Sequence, residues 1–464
     1  MNFIVLSAIW GIVMMLSGVF LKNISPRILA LVGAVLLTAC TLYELTGNAP
    51  FMDISMKDMV RVSGLNLTFL AVVCLATLVY FLLSGSDIEK VGAYPSEYFA
   101  LIFFSLCGVG LSVCFNNLMM LFLGIEIMSI PMYILTGADK KNLKSNEAAL
   151  KYFLMGAFST GILMMGIALL YGGNSTASFY ITNINIGQAK MPLMMVSGMV
   201  MLLAAMSFKV SAAPFHSWTP DVYDGAPTVF TSFMSTVVKA AGFFAFIRLF
   251  ESVFGMALEQ WQHLIVLIIF LTLFVGNITA IFQQSVKRML AYSSIAQAGF
   301  MMFALFSLNS HAKEGIVLYG AAYSFATIGL FAILAKMQDY TIDGFNGLAS
   351  RHPLIAFSAL IFLLSLTGVP LTGGFQGKFW MLLSAVENGH HIWLVIAAVC
   401  FAAISAYYYF RVIQAMYFKP ASESELMSSD ITRGFNIMLL VTVALILILG
   451  IFPEALIGWI YHQA

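Results

Sequence analysis

Residues 202–220 read LLAAMSFKVSAAPFHSWTP, and this stretch decides the fold. Its first half is apolar enough for lipid, yet Lys209 stands in it, and Pro214 and Pro220 follow, flanking His216. Proline lacks the N–H that continues a helix and its ring clashes with the preceding turn, so the helix is interrupted beside a lysine. Irregular backbone at membrane depth is tolerated only inside protein or against water, and that water could hydrate the nearby ammonium. A second stretch, SLTGVPLTGGFQGK at 365–378, repeats the pattern: Gly368, Pro370, Gly373, Gly374 and Gly377 lie just ahead of Lys378.

The whole chain shares the same solvent. Its 464 residues are 61% hydrophobic and 9% charged, where a water-soluble domain carries about a quarter charged residues. A helix needs about 20 apolar residues to cross a bilayer. Runs of that length fall near 3–21, 28–46, 63–84, 97–115, 117–137, 148–171, 191–213, 227–250, 262–283, 290–308, 314–337, 353–386, 391–418 and 434–461. The chain is therefore expected to be an all-α polytopic membrane protein of about fourteen transmembrane helices. The first span reads as a retained helix rather than a cleaved signal. The polar stretches 172–190 and 419–433 have only loop length, so one membrane domain is expected over 1–464.

Basic loops stay cytoplasmic, so lysine and arginine carry the orientation. Lys22, Arg27, Lys90, Lys140, Lys141, Lys144, Lys151, Lys287, Arg288, Lys336, Arg351, Arg411, Lys419 and Arg433 lie in or beside one set of alternate loops. The opposite loops and their edges hold Lys57, Arg61, Lys190, Arg248 and Lys313. The richer side is expected to face the cytoplasm, with both termini on the far side.

Cys40, Cys74, Cys107, Cys114 and Cys400 lie in apolar spans without a CxxC or a histidine cluster, so core packing is expected, with no metal, iron–sulfur or disulfide framework. Neither a GxGxxG strand–helix fingerprint nor a GxxxxGK[ST] loop is present, which leaves nucleotide chemistry to other chains. No cofactor is expected in this chain, and no nucleic-acid partner.

A charge at bilayer depth costs at least about 2.5–3.5 kcal/mol, so each one is a functional candidate. Glu126 sits inside LMMLFLGIEIMSIPMYIL (118–135) with no base near it on its own helix. Lys209 is joined by Lys239, in FMSTVVKAAGFFAF (233–246), and by Lys378. One acid cannot neutralise three lysines, and the surplus is read as able to exchange protons. His216 stands between the relay and a satisfied polar role in the helix break. Lys151 opens the sixth span and fits the basic rim as well as the relay.

Paired interrupted helices in corresponding positions point to inverted repeats. The breaks fall in spans seven and twelve, which fits two inverted five-helix repeats, at 97–250 and 262–418, after three N-terminal helices (1–90) and before a C-terminal helix (434–461). GAFS at 156–159 and AAYS at 321–324 form a faint echo at the expected spacing. The symmetry is incomplete: AYSSIAQAGF (291–300) offers only Gln297 where a mirror of Glu126 belongs.

The segment KVSAAPFHSWTPDVYDGAPT, Lys209 to Thr228, is similar to the signature of the antiporter-like subunits of respiratory complex I and of Mrp-type cation/proton antiporters. Its WTPDVYDGAP form differs from the WLPDA version usual in subunits L and M, and the resemblance covers essentially the whole chain. It implies that Glu126, Lys209, Lys239 and Lys378 match the family's buried charges in helices five, seven, eight and twelve. It implies a proton-translocating subunit of NADH:quinone oxidoreductase in a bacterial cell inner membrane, or an organellar one. Its partners would be lipid and the other membrane and peripheral subunits of complex I, which would carry NADH, FMN, iron–sulfur clusters and quinone. A subunit of an independent Mrp-type antiporter would use the same residues; a passive scaffold is disfavoured by the cost of the buried charges.

Overall fold

The computed structural model describes residues 1–20, 24–52, 58–184, 186, 191–421, 427 and 431–461; Lys22, Lys57 and Lys190 of the orientation argument lie outside them. The chain enters through α1 (Asn2–Phe20), α2 (Pro26–Leu45) and α3 (Gly64–Val91). Next come α4 (Pro95–Cys114), α5 (Leu118–Thr136), α6 (Leu143–Gly173) and the broken pair α7a (Leu193–Lys209) and α7b (Trp218–Gly225). The eighth crossing has three parts: α8a (Thr228–Phe233), a π-helical turn (Met234–Val238) and α8b (Lys239–Phe254). After it come α9 (Leu258–Ile281), α10 (Val286–Ser307), α11 (Ser310–Lys336), α12a (Pro353–Thr367), α12b (Gly373–Glu387), α13 (Ile392–Phe418), α14a (Arg433–Ile451) and α14b (Glu454–Tyr461).

Among the described residues eleven helices are long and apolar enough to cross a membrane, with Thr228–Ile281 taken as one stretch and the shorter Leu193–Lys209 and Pro353–Thr367 left out. With those resolved, a helix or a broken helix lies at each of the expected spans. Among the described residues extended pairing is limited to isolated bridges such as Val60 with Phe115 and Ser285 with Thr341. Side-chain oxygens close the helix starts: Asn117 accepts from Met119 N, Ser285 from Arg288 N and Thr372 from Phe375 N, each satisfying an amide that lacks an intrahelical partner.

Two boundaries differ from expectation for one reason: a helix does not stop where lipid stops. α3 runs past residue 84 to Val91 and so carries Asp87 on its last turns, and α6 starts at Leu143, capped by Asn142, ahead of the apolar run. Span seven ends early, at Lys209, because Ser211 adopts a left-handed φ of 62° ahead of Pro214. Span twelve is two helices. Gly368, at φ 90°, ends the first with a left-handed residue that glycine takes without penalty.

The apolar stretch of α11 lies inside the protein, packed by α3, α8a, α10, α12a and α12b. The outer surface is apolar: Phe158, Phe282 and Phe418 are each more than 70% exposed, a surface suited to lipid. Cys400 lies on that surface rather than in the core. The helix order α4 on α5 on α6 on α7a is matched by α9 on α10 on α11 on α12b.

Candidate functional site

Lys209 ends α7a, where the helix breaks, and its Nζ donates to Ser129 Oγ at 3.1 Å and to Tyr133 OH at 3.3 Å. Both acceptors are on α5. Glu126 stands one turn before Ser129 on that helix, yet among the described residues no ion pair within 4 Å joins it to Lys209. Its Oε1 is buried without a hydrogen-bond partner. Glu126 thus sits on α5 one turn from the Ser129 hydroxyl that holds Lys209, without touching the lysine itself. His216 lies in the break between α7a and α7b, part-buried, with Nδ1 unpartnered.

Lys239 is the first residue after the π turn and is almost fully buried. A π turn adds one residue to the helical cycle and rotates the remainder of the helix, a feature that recurs at functional positions. The Lys239 ammonium donates to the Ser294 carbonyl at 2.7 Å and to Ser294 Oγ at 2.9 Å, both on α10.

Lys378 reaches back from α12b to the end of α12a, donating to the carbonyls of Leu366 at 2.7 Å and Thr367 at 3.0 Å. These are helix-terminal carbonyls left without intrahelical donors, and the negative end of α12a's dipole favours a cation there. The ammonium also sits 4.5 Å above the Phe300 ring. Gly377 allows the approach, since a Cβ there would collide with Tyr319.

Gln297, the residue standing where an acid was sought, joins these pieces. Its Nε2 donates to the Leu366 carbonyl at 2.9 Å and to Tyr409 OH at 3.1 Å, and its Oε1 accepts from Tyr319 OH. Tyr409 OH in turn bonds Ser293 Oγ. Ser293 neighbours Ser294, so one polar seam runs along α10 from the Lys239 ammonium to the Lys378 ammonium. Sequence reading singled out both lysines and Gln297 but not Ser293, Ser294, Tyr319 or Tyr409; the signal was a set of polar residues in spans otherwise buried among apolar ones.

Lys151 is placed on the basic rim, about 40% exposed, paired to Glu147 at 2.8 Å and to Asp221 of α7b at 2.9 Å. Arg288 takes the other Asp221 oxygen at 2.9 Å. Burial works to raise the Asp221 carboxyl, but the hydrogen bonds and charges of Lys151 and Arg288 outweigh it and hold it below its ordinary value. Two rim lysines are more buried than their loop positions suggested. Lys287 donates to the Asp224 and Ala226 carbonyls at 2.9 and 2.6 Å, and Lys336 pairs with Asp87 at 2.7 Å. Among the described residues no group of three His, Cys, Asp or Glu is arranged to hold a metal.

This is a broken-helix membrane bundle with an interior line of lysines, and the family model described as NADH:quinone oxidoreductase/Mrp antiporter, TM, matches residues 115–405. NADH-quinone oxidoreductase subunit N of Trichlorobacter lovleyi is 38% identical over 461 residues, spanning 98% of this chain and 94% of that one. A chain of respiratory complex I from Thermus thermophilus superposes with a TM-score of 0.84 at 28% identity, with full coverage of both. A chain of the Mrp complex from Dietzia sp. shares the fold, with a TM-score of 0.83 at 17% identity, over all of this chain and 97% of that one. The chain belongs to the subunit N family of NADH-quinone oxidoreductases, the antiporter-like, proton-translocating membrane subunits of complex I. It is one multi-span membrane subunit among others in that enzyme.

Proposed function

We propose that this subunit moves protons from the cytoplasm outward through Glu126, Lys209, Lys239 and Lys378, driven by quinone reduction in neighbouring subunits. In this reading Glu126 stabilises the charged Lys209. When the neighbouring subunits weaken that interaction, the proton passes by way of His216 or the helix break to Lys239, then along α10 to Lys378. The observation that carries it is the polar seam along α10: Ser294 holds Lys239, and its chain neighbour Ser293 starts the hydrogen-bonded run through Tyr409 and Gln297 to the Leu366 carbonyl held by Lys378. Hydroxyls both donate and accept, so each can take a proton on one side and release one on the other. The Gln297 amide and the Leu366 carbonyl instead hold the seam's geometry at the Lys378 end.

Lys239 and Lys378 have no carboxylate within ion-pair distance among the described residues. Each ammonium is held by neutral oxygens, which also serve a neutral amine, so the site tolerates both states that a relay requires. Lys151 is assigned the clamping of α7b through Asp221 rather than a step in the relay. The two repeats, 97–250 and 262–418, supply the two broken helices, supported by the matched order of helix contacts in the halves.

The experiment is Lys209→Ala in the intact complex, reconstituted in vesicles. Removing a buried charge relieves a desolvation cost, so the chain still inserts. Proton translocation coupled to NADH oxidation is expected to be largely lost, and translocation at the unmodified rate would overturn the proposal.

A further inference from the structure

We propose that Asp87, paired with Lys336, is the proton-loading station on the cytoplasmic side, feeding Lys239 between α3, α8a and α11. The inference rests on the relay reading above. A cleft of about 490 Å³ opens on the lysine-rich face and is lined by Asp87, Lys90, Asp139, Lys144, Asp224 and Lys287. Asp87 Oδ1 accepts from Lys336, a lysine only 2% exposed, and lies 3.7 Å from Lys90. Asp87 Oδ2 is buried and has no hydrogen-bond partner. One carboxylate oxygen is thus clamped by a cation and the other is left open to receive a proton.

Below this pair, four buried hydroxyls have no partner: Ser84, Ser232, Thr327 and Tyr323. Ser84 is one turn deeper than Asp87 on α3. Ser232 is about 6 Å along α8a from Thr228, at the cleft, by the helical rise of about 1.5 Å per residue. By the same rise Thr327 and Tyr323 are about 13 and 20 Å inward from Lys336 on α11, and Lys239 is about 16 Å inward from Thr228. The three elements pack pairwise. The Tyr323 hydroxyl lies beside the Ser294 and Thr327 side chains, and Ser294 holds Lys239. Buried polar groups without protein partners are where ordered water binds.

In the loading step a proton from hydronium at the cleft adds to Asp87 Oδ2, forming its O–H bond and releasing water. That O–H bond then breaks as the proton passes inward, each hydroxyl or water accepting one proton and giving up another, until an N–H bond forms on neutral Lys239. The carboxylate is restored and no electrons are exchanged.

The test compares Asp87→Asn with the unmodified complex in vesicles, reading proton translocation against external pH on the cytoplasmic face. A lost proton collector is replaced by a higher proton concentration, so the variant is expected to fall about tenfold at pH 8 and to recover to within about twofold at pH 6. An equal loss at both pH values, as a structural pair would give, or no loss, overturns the inference. Tyr323→Phe with Thr327→Val removes two hydroxyls and keeps the packing, so it answers the question where Asp87→Asn does not assemble. It is expected to slow translocation about tenfold, and an unchanged rate overturns the inference. Lys239→Ala separates the two readings. If it abolishes translocation while the Asp87 and hydroxyl variants are normal, only the loading route fails; if it has no effect, the relay fails with it.

Discussion

Lys378 and Gln297 share one acceptor: both donate to the Leu366 carbonyl, from α12b and α10, at 2.7 and 2.9 Å. The carbonyl is free because Gly368 ends α12a just beyond it. The helix break therefore creates the junction at which the seam along α10 meets the last lysine.

Gln297→Leu keeps the volume and removes the bonds to Leu366, Tyr409 and Tyr319. Losing one such link costs about 1.4 kcal/mol, and translocation is expected to fall about tenfold with the complex assembled. Vesicle acidification driven by NADH reads it. An unchanged rate would deny Gln297 a role in holding the seam's geometry.

In the proposed relay Glu126 acts on Lys209 without touching it. Glu126→Gln removes the charge and is expected to lower translocation about fivefold, the scale of a coupling of about 1 kcal/mol. Glu126→Asp keeps the carboxylate and is expected to do less harm. If Gln matched the unmodified protein in the same assay, Glu126 would not tune Lys209.

Asp221 predicts an acid effect at the rim. Its carboxyl titrates lower in the folded protein than in the unfolded chain, so its stabilisation is present above the ordinary value of 3.8 and is lost as pH falls through the lower folded value. Thermal unfolding of the complex with Asp221→Asn is expected to show a small deficit at neutral pH, which closes as the pH falls below the lowered folded value. A deficit that persists in acid would assign the effect to packing.

Much of this arrangement was legible in the sequence because lipid makes helices long and buried charges rare. Lys239 and Lys378 stood out for that reason, and the Pro214 and Gly368 breaks announced themselves through backbone chemistry. What stayed hidden depends on contacts between distant helices. Asp87 lies beyond the apolar run of the third span because α3 outlasts it, Lys336 stands at the edge of the eleventh, and they become a buried pair only where α3 meets α11. Ser129 stands three residues from Glu126, but only the reach of Lys209 from the end of α7a to α5 makes it, rather than the acid, the lysine's partner. Tyr409 lies among the aromatics of α13, and nothing local marks it as the neighbour of Ser293.

The most direct measurement of the central claim is proton translocation by the assembled complex carrying Lys378→Met or Lys378→Arg. Methionine keeps an apolar stem of similar length and leaves only the Thr367 carbonyl without its donor, at about 1–3 kcal/mol, since Leu366's keeps its bond from Gln297, so folding is expected to survive. Arginine keeps the charge and the donors, but its guanidinium does not deprotonate in proteins. A lysine that passes a proton fails with both replacements, which is the predicted result. An arginine variant that pumps at the unmodified rate would contradict proton transfer through Lys378 and reduce it to a fixed charge.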